Sequence, residues 1–227
     1  MSFLIFCQII QCSKSGILYH MVDSKQFWVD SIYMLPPFLA SAGYYKEALH
    51  QIHGYWDALY FPNEKLLAHR FDDETGSFAR DALWGTGNGW AMAGLCRVID
   101  LLPGEMESER AGLIELNRSL VTSVSGYIRE DGTAFDILND PASFVDVALP
   151  MFFAYSVYRG MYSGWLGDEY FGLAECCRNA AHSRIDQYGF IHDVCGAPDF
   201  YSSGKSPEAQ ALYILMHAAR KKVQNGN

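Results

Sequence analysis

The chain has 227 residues, of which 50% are apolar and 19% charged, enough for one domain with a buried core and too apolar for wholesale disorder. Seventeen Lys and Arg face 26 Asp and Glu, giving a formal net charge of −9, which excludes nucleic acid or an anionic membrane as a partner held through a basic surface. Aromatic residues make up 15% of the chain, a density that suits either a large core or a sugar-binding site.

Residues 1–13 are apolar but carry no Lys or Arg ahead of the apolar run, and no small-x-small cleavage site follows. They make a poor signal peptide, so the compartment, cytoplasm or exterior, stays open. No apolar run approaches the roughly 20 residues that span a bilayer. Residues 1–17 are an atypical N-terminal segment, 18–222 are one helical domain, and 223–227 are a tail.

Residues 30–42 have helical periodicity and end at Gly43, a plausible stop. Residues 44–60 continue with Ala48, Leu49, Ile52, Trp56 and Leu59 until Pro62 stops them. Residues 66–82 are polar and Asp-rich, a long loop or a short ribbon. Residues 88–102 predict a helix closed by Pro103 and Gly104, and 107–128 a longer amphipathic one. After a polar loop around Asp131 and Gly132, residues 143–160 read as a helix apolar all round, with Asp146 inside it. Residues 166–182 predict a further helix, and 186–205 a loop with strand-like pieces. Ser206 caps the last helix, with Pro207 at its first position and Glu208 near its positive end. About seven helices result, all-α, alternating between wholly apolar and amphipathic. A toroid of inner and outer helices, with long polar loops at one rim, produces that alternation.

Four groups of residues could carry chemistry. Asp30 opens an apolar helix beside Trp28 and is either a cap or a desolvated carboxylate able to hold a proton. Residues 83–90, LWGTGNGW, put three glycines and two tryptophans before a helix, either a tight turn with two core aromatics or a site where the faces of Trp84 and Trp90 stack on sugar rings. His20 lies ahead of Asp30, and His69 just before the acidic loop. Asp72, Asp73, Glu74 and Asp81 form a solvated loop without EF-hand spacing. His50 and His53 stand three apart on a helix without a ligand set, and none of the six cysteines forms a C-x-x-C pair. Neither metal nor cofactor is expected, and the cysteines read as free thiols.

The blocks FWVDSIYMLPPFLA, LAHRF, LWGTGNGWAMAGLCRVI, SFVDVALPMFFAYSVYRG and SPEAQALYILM, in this order, resemble the unsaturated rhamnogalacturonyl hydrolases of glycoside hydrolase family 105, relatives of the unsaturated glucuronyl hydrolases of family 88. The resemblance runs from about Leu18 to Arg220. It implies an (α/α)6 barrel of six helical hairpins. It implies removal of a Δ4,5-unsaturated uronic acid from pectin-type oligosaccharides by hydration of a vinyl ether rather than displacement at the anomeric carbon. Carried over by motif, Asp30 is the acid/base, and Trp28, His20, His69, Trp84, Asn88 and Trp90 contact the unsaturated uronyl oligosaccharide. Many bacterial members have W-x-R-G-N-G-W where Thr86 stands here, so a cation expected near the acidic sugar is missing.

The family places several more helices and a second important Asp ahead of the W-x-D block, whereas 29 residues precede Asp30 here. The resemblance therefore implies an incomplete barrel with about seven of twelve helices. Its open flanks are expected to make the chain self-associate through apolar helix faces, and to leave it weakly active by itself.

Overall fold

A computed structural model describes residues 11–226. Among them are eight α-helices: α1 (Ser31–Met34), α2 (Pro36–Ser41), α3 (Tyr45–Leu59), α4 (Gly85–Leu101), α5 (Glu107–Ser125), α6 (Ala148–Tyr162), α7 (Phe171–His182) and α8 (Pro207–Asn225). The helix expected over 30–42 is split into α1 and α2, because Pro36 has no N–H to continue the ladder.

The helices form two rows. α2, α4, α6 and α8 pack side by side in that order, and α3, α5 and α7 each lie against the helix that precedes them. The sequence dictates this layering. α4 and α6 are apolar all round and buried over nearly their whole length, whereas α5 buries one stripe, Leu113, Leu120, Val121 and Val124. Close approach within the buried row depends on small residues. A Cβ at Gly89 of α4 would overlap Phe152 of α6, and one at Gly94 would overlap the Ile32 carbonyl of α1.

The all-α expectation holds for the two rows but not for their connections. Passages from the buried row outward are short, while passages back carry eight two- to four-residue strands, which with β1 ahead of α1 form four small antiparallel sheets. β1 (Gln26–Trp28), β4 (Arg70–Asp72) and β5 (Ser77–Arg80) form one sheet in the order β1-β4-β5. β2 (Tyr60–Phe61) pairs with β3 (Leu66–Leu67), β6 (Ala134–Phe135) with β7 (Val145–Asp146), and β8 (Val194–Cys195) with β9 (Ser203–Gly204). Asp146, expected inside a helix, therefore lies in a strand ahead of α6. Its carboxylate accepts from the Leu149 N–H of the first helical turn and from the Cys195 N–H of β8.

Ser206 caps α8 as expected, its Oγ accepting from the Ala209 N–H at 3.1 Å. The described part of the N-terminal segment is tied to α3, where Gln51 bonds the Leu18 N–H and the Gly16 carbonyl and Tyr55 bonds the Leu18 carbonyl. Cys12, Cys96, Cys176, Cys177 and Cys195 are free thiols, and Cys7 lies outside the described residues. No described helix is long and apolar enough to cross a membrane.

Candidate active site

Every strand-bearing connection returns to the start of a helix in the buried row, so chain segments distant in sequence converge there. They enclose a cavity of about 540 Å³. β1 and the turn into α1 supply Trp28 and Asp30, and the segment before β1 supplies His20. The β3–β5 region supplies His69, Arg70 and Arg80. The starts of α4, α6 and α8 supply Thr86, Ala148 and Glu208, and the β8–β9 loop supplies Tyr201.

Asp30 precedes α1, yet its side chain makes no capping bond. Its Oδ2 is buried and has no hydrogen-bond partner among the described residues. Burial pushes its pKa up to about 6, although a backbone hydrogen bond and the charges of Arg70 and Arg80 pull the other way. A carboxyl group that lines a cavity and holds a proton more tightly than usual can hand that proton to a ligand and take one back.

His69 sits against it, with Nε2 3.7 Å from Asp30 Oδ2. Its Nδ1 lies 2.8 Å from Arg80 Nη1, and because a guanidinium only donates, Nδ1 is the acceptor. The neutral ring therefore carries its proton on Nε2, toward Asp30. Burial first, then the Arg80 and Arg70 charges, lower the pKa of His69 to about 3.

Aromatic faces pack around this pair. His20 stacks on Trp28 at 4.4 Å with 9° between the planes, and His69 meets Trp28 edge-on at 5.5 Å and Trp84 at 4.6 Å. His20 Nδ1 is held 2.9 Å from Ser31 Oγ. Trp84 is anchored by its indole N–H to Asp136 Oδ1 at 2.8 Å, and Trp90 packs between Tyr33 and Phe152 at 4.6 Å from each.

Thus the structure brings Asp30, His20, Trp28, His69, Trp84 and Trp90 to one cavity. Asn88 stands behind the wall. It is wholly buried, its Oδ1 accepts from the Leu67 N–H, and its Nδ2 donates to the Leu67 and Trp84 carbonyls. It fastens β3 to the start of α4. Thr86 lines the cavity and donates to Asp146 at 3.4 Å. Asp146, fully buried, has its pKa raised to about 7.

Sequence reasoning missed Arg70 and Arg80. The signal was an antiparallel hairpin hidden in the acidic loop. Asp72 Oδ1 accepts from the Glu74 and Thr75 N–H groups, a turn that folds β5 onto β4 and makes the two arginines direct cross-strand partners.

Residues 7–213 match Glycosyl Hydrolase Family 88. The unsaturated rhamnogalacturonyl hydrolase YesR of Bacillus subtilis is 28% identical over an alignment of 149 residues that covers 59% of this chain and 42% of YesR. Possible members of the GH105 family from Salmonella enterica and Klebsiella pneumoniae each superpose with a TM-score of 0.85, at 21% and 22% identity, over 96% of this chain and 63% and 66% of theirs. An unsaturated glucuronyl hydrolase specific for heparin superposes with a TM-score of 0.77 at 13% identity, over 94% of this chain and 65% of its own. The chain thus spans less than half of the curated relative and about two thirds of the solved structures. With nearly its whole length matched, the chain belongs to glycosyl hydrolase family 88.

Proposed function

We propose that the cavity removes a Δ4,5-unsaturated uronic acid from pectin-derived rhamnogalacturonan oligosaccharides, and that the two helical rows are part of a six-hairpin toroid. The observation that carries the reading is Asp30, a buried carboxyl group that lines the cavity together with Trp28 and Trp84 and whose Oδ2 has no hydrogen-bond partner among the described residues. The name of YesR, an unsaturated rhamnogalacturonyl hydrolase, supports the substrate class.

In this reading the sugar ring lies on the indole faces with its double bond against Asp30. The neutral carboxyl group protonates C4, and positive charge develops at C5 beside the ring oxygen. Water adds at C5 and returns its proton to the Asp30 carboxylate, so one residue acts first as acid and then as base. The resulting hemiketal opens and the aglycone leaves. His69, neutral with its N–H toward Asp30, steadies the carboxylate in the interval when it is charged. The two-carboxylate spacing of ordinary glycosidases is not required, because no displacement occurs at the anomeric carbon.

The test incubates the full chain with unsaturated galacturonyl-rhamnose and follows the ultraviolet absorbance of the double bond. Loss of absorbance that disappears in Asp30→Asn is expected. Binding without loss of absorbance identifies a non-catalytic sugar-binding protein instead, and cleavage of the saturated disaccharide overturns the double-bond chemistry.

Self-association belongs to the same reading. Met34, Phe38 and Ile214 are exposed at the two ends of the buried row, Phe38 at 59% and Ile214 at 63%. A concentration-dependent sedimentation coefficient is expected, and Phe38→Glu is expected to remove that dependence.

A further inference from the structure

The acidic chain holds most of its arginines in ion pairs. Arg118, Arg129, Arg159, Arg178, Arg184 and Arg220 each meet an Asp or Glu. Arg97, over the Tyr33 ring, and Arg110, on the Ile99, Leu102 and Pro103 carbonyls, meet no carboxylate within ion-pair distance among the described residues but do not line the cavity. Arg70 and Arg80 differ from both groups. Both line the cavity, and among the described residues neither is within ion-pair distance of a carboxylate, although Asp199 and Glu208 line the same cavity. Their contacts are with neutral groups. Arg70 lies 4.8 Å over the Trp28 ring and reaches the Tyr201 hydroxyl at 3.4 Å, and its Nε is buried without a partner. Arg80 donates to His69 Nδ1 and lies 5.5 Å over the Tyr201 ring.

The backbone is irregular where it sets these two side by side. Asp72 pairs with Ser77 and Phe71 with Phe78, so a regular ladder would place Ala79 opposite Arg70. The register instead shifts between Arg70 and Phe71, and Arg80 takes that position. Because side chains alternate along a strand, the one-residue bulge turns Arg80 onto the face of Arg70. Like charges directly opposite each other in a sheet are unfavourable. An anion between them removes that cost, and the surrounding Trp28 and Trp84 faces limit screening by water.

We propose that Arg70 and Arg80 form a carboxylate-binding fork that takes the anionic group of an acidic sugar bound against Asp30; the assignment rests on the reading of this cavity as a sugar site. It supplies the cation that Thr86 does not. The bidentate geometry open to two guanidinium groups selects a planar carboxylate over a neutral hydroxymethyl or ester group.

The test uses the full chain carrying Asp30→Asn, so that ligand is not consumed, and follows tryptophan fluorescence during titration with unsaturated galacturonyl-rhamnose and with its methyl ester. The acid is expected to bind roughly ten- to a hundredfold more tightly than the ester, with the difference shrinking as salt is added. Arg70→Gln and Arg80→Gln are each expected to weaken the acid roughly ten- to a hundredfold and to leave the ester within about threefold. Arg70→Lys, which keeps the charge but not the planar fork, is expected to fall between and guards against a folding artefact in Arg70→Gln. Equal affinity for acid and ester, equal weakening of both, or no binding of either overturns the fork. Arginine-dependent acid binding, with no turnover by the parent chain that keeps Asp30, keeps the fork and overturns the hydrolase reading. Turnover indifferent to esterification and to Arg70 does the reverse.

Discussion

His69 Nε2 lies 3.7 Å from Asp30 Oδ2, yet the two do not behave as an ion pair. An ion pair would lower the acid and raise the base. Here Asp30 is raised to about 6 and His69 lowered to about 3, because burial is the largest influence on each and disfavours its charged form. The side chains are only 14% and 8% exposed. Below about pH 6 Asp30 keeps its proton, and in the proposed mechanism the pair then stabilises the charge left when that proton is given up.

The first prediction concerns the rate. In the proposed mechanism Asp30 acts in its protonated form, so kcat/KM is expected to fall about tenfold per pH unit above pH 6. Arg70 and Arg80 both hold the Asp30 pKa down, so Arg70→Gln is expected to move that limb to higher pH. A limb at the same pH in the variant counts against the electrostatic coupling of these groups. Asp30→Asn is expected to lower kcat by about a hundredfold or more at any pH.

The second concerns stability. Between pH 3.8 and about 6 the native chain holds the Asp30 proton that the unfolded chain has lost. Stability therefore falls as pH rises through that window and stays reduced above it, by at most about 3 kcal/mol. His69 acts in the opposite direction. Its lowered pKa makes the unfolded chain bind the proton first, so stability falls as pH drops from 6.5 toward about 3. Asp30→Asn should thus melt at a higher temperature than the parent chain at pH 7 while losing activity. Calorimetry at pH 4 and pH 7 checks this, because the gain should shrink at the lower pH.

These effects depend on residues of unequal visibility in the sequence. The Ser206–Pro207 start of α8 and the apolar run of α6 were legible, since each rests on local rules of capping and periodicity. Asp30, Trp28 and His69 were legible as a group because an acid and aromatics at a helix start resembled a known family. The β4–β5 hairpin was legible only as one of two alternatives, a long loop or a short ribbon, because β4 is half-buried, β5 is largely exposed, and the bulge at Arg70 breaks the alternation that marks a strand. Asp146 was placed in a helix because its neighbours are apolar, and only the distant pairing with β6 makes it strand. Asn88 was expected to contact the sugar only because it matched the family motif, and its bonding partner Leu67, 21 residues away, was out of reach of local rules.

The third prediction follows from that partnership. Asn88→Ala removes three hydrogen bonds and leaves the Leu67 N–H buried without an acceptor. The expected cost is about 2–4 kcal/mol. Since Asn88 stands behind the cavity wall, KM for the folded fraction should stay close to that of the parent chain. Denaturant unfolding gives the first quantity and initial-rate kinetics the second. A large rise in KM without loss of stability would return Asn88 to the substrate.

The fourth prediction contrasts two glycines in helices. A Cβ at Gly94 of α4 would meet the Ile32 carbonyl oxygen and carbon and the Tyr33 Cα, all backbone of α1, which cannot move aside as a side chain would. α1 begins one residue after Asp30, so moving it moves the acid relative to His69 and the cavity. Gly94→Ala is therefore expected to cost about 1–3 kcal/mol and also to lower kcat, since displacements near 1 Å from the productive geometry cost up to about a hundredfold. Gly112 of α5 has nothing within 4 Å of the position of a Cβ. Gly112→Ala should stabilise the chain by about 0.5–1 kcal/mol through helix propensity and leave kcat unchanged. Thermal melting and initial rates on the two variants separate a packing constraint that reaches the acid from a glycine that does not. Equal tolerance at both positions would sever the proposed link between the α1–α4 contact and the placement of Asp30.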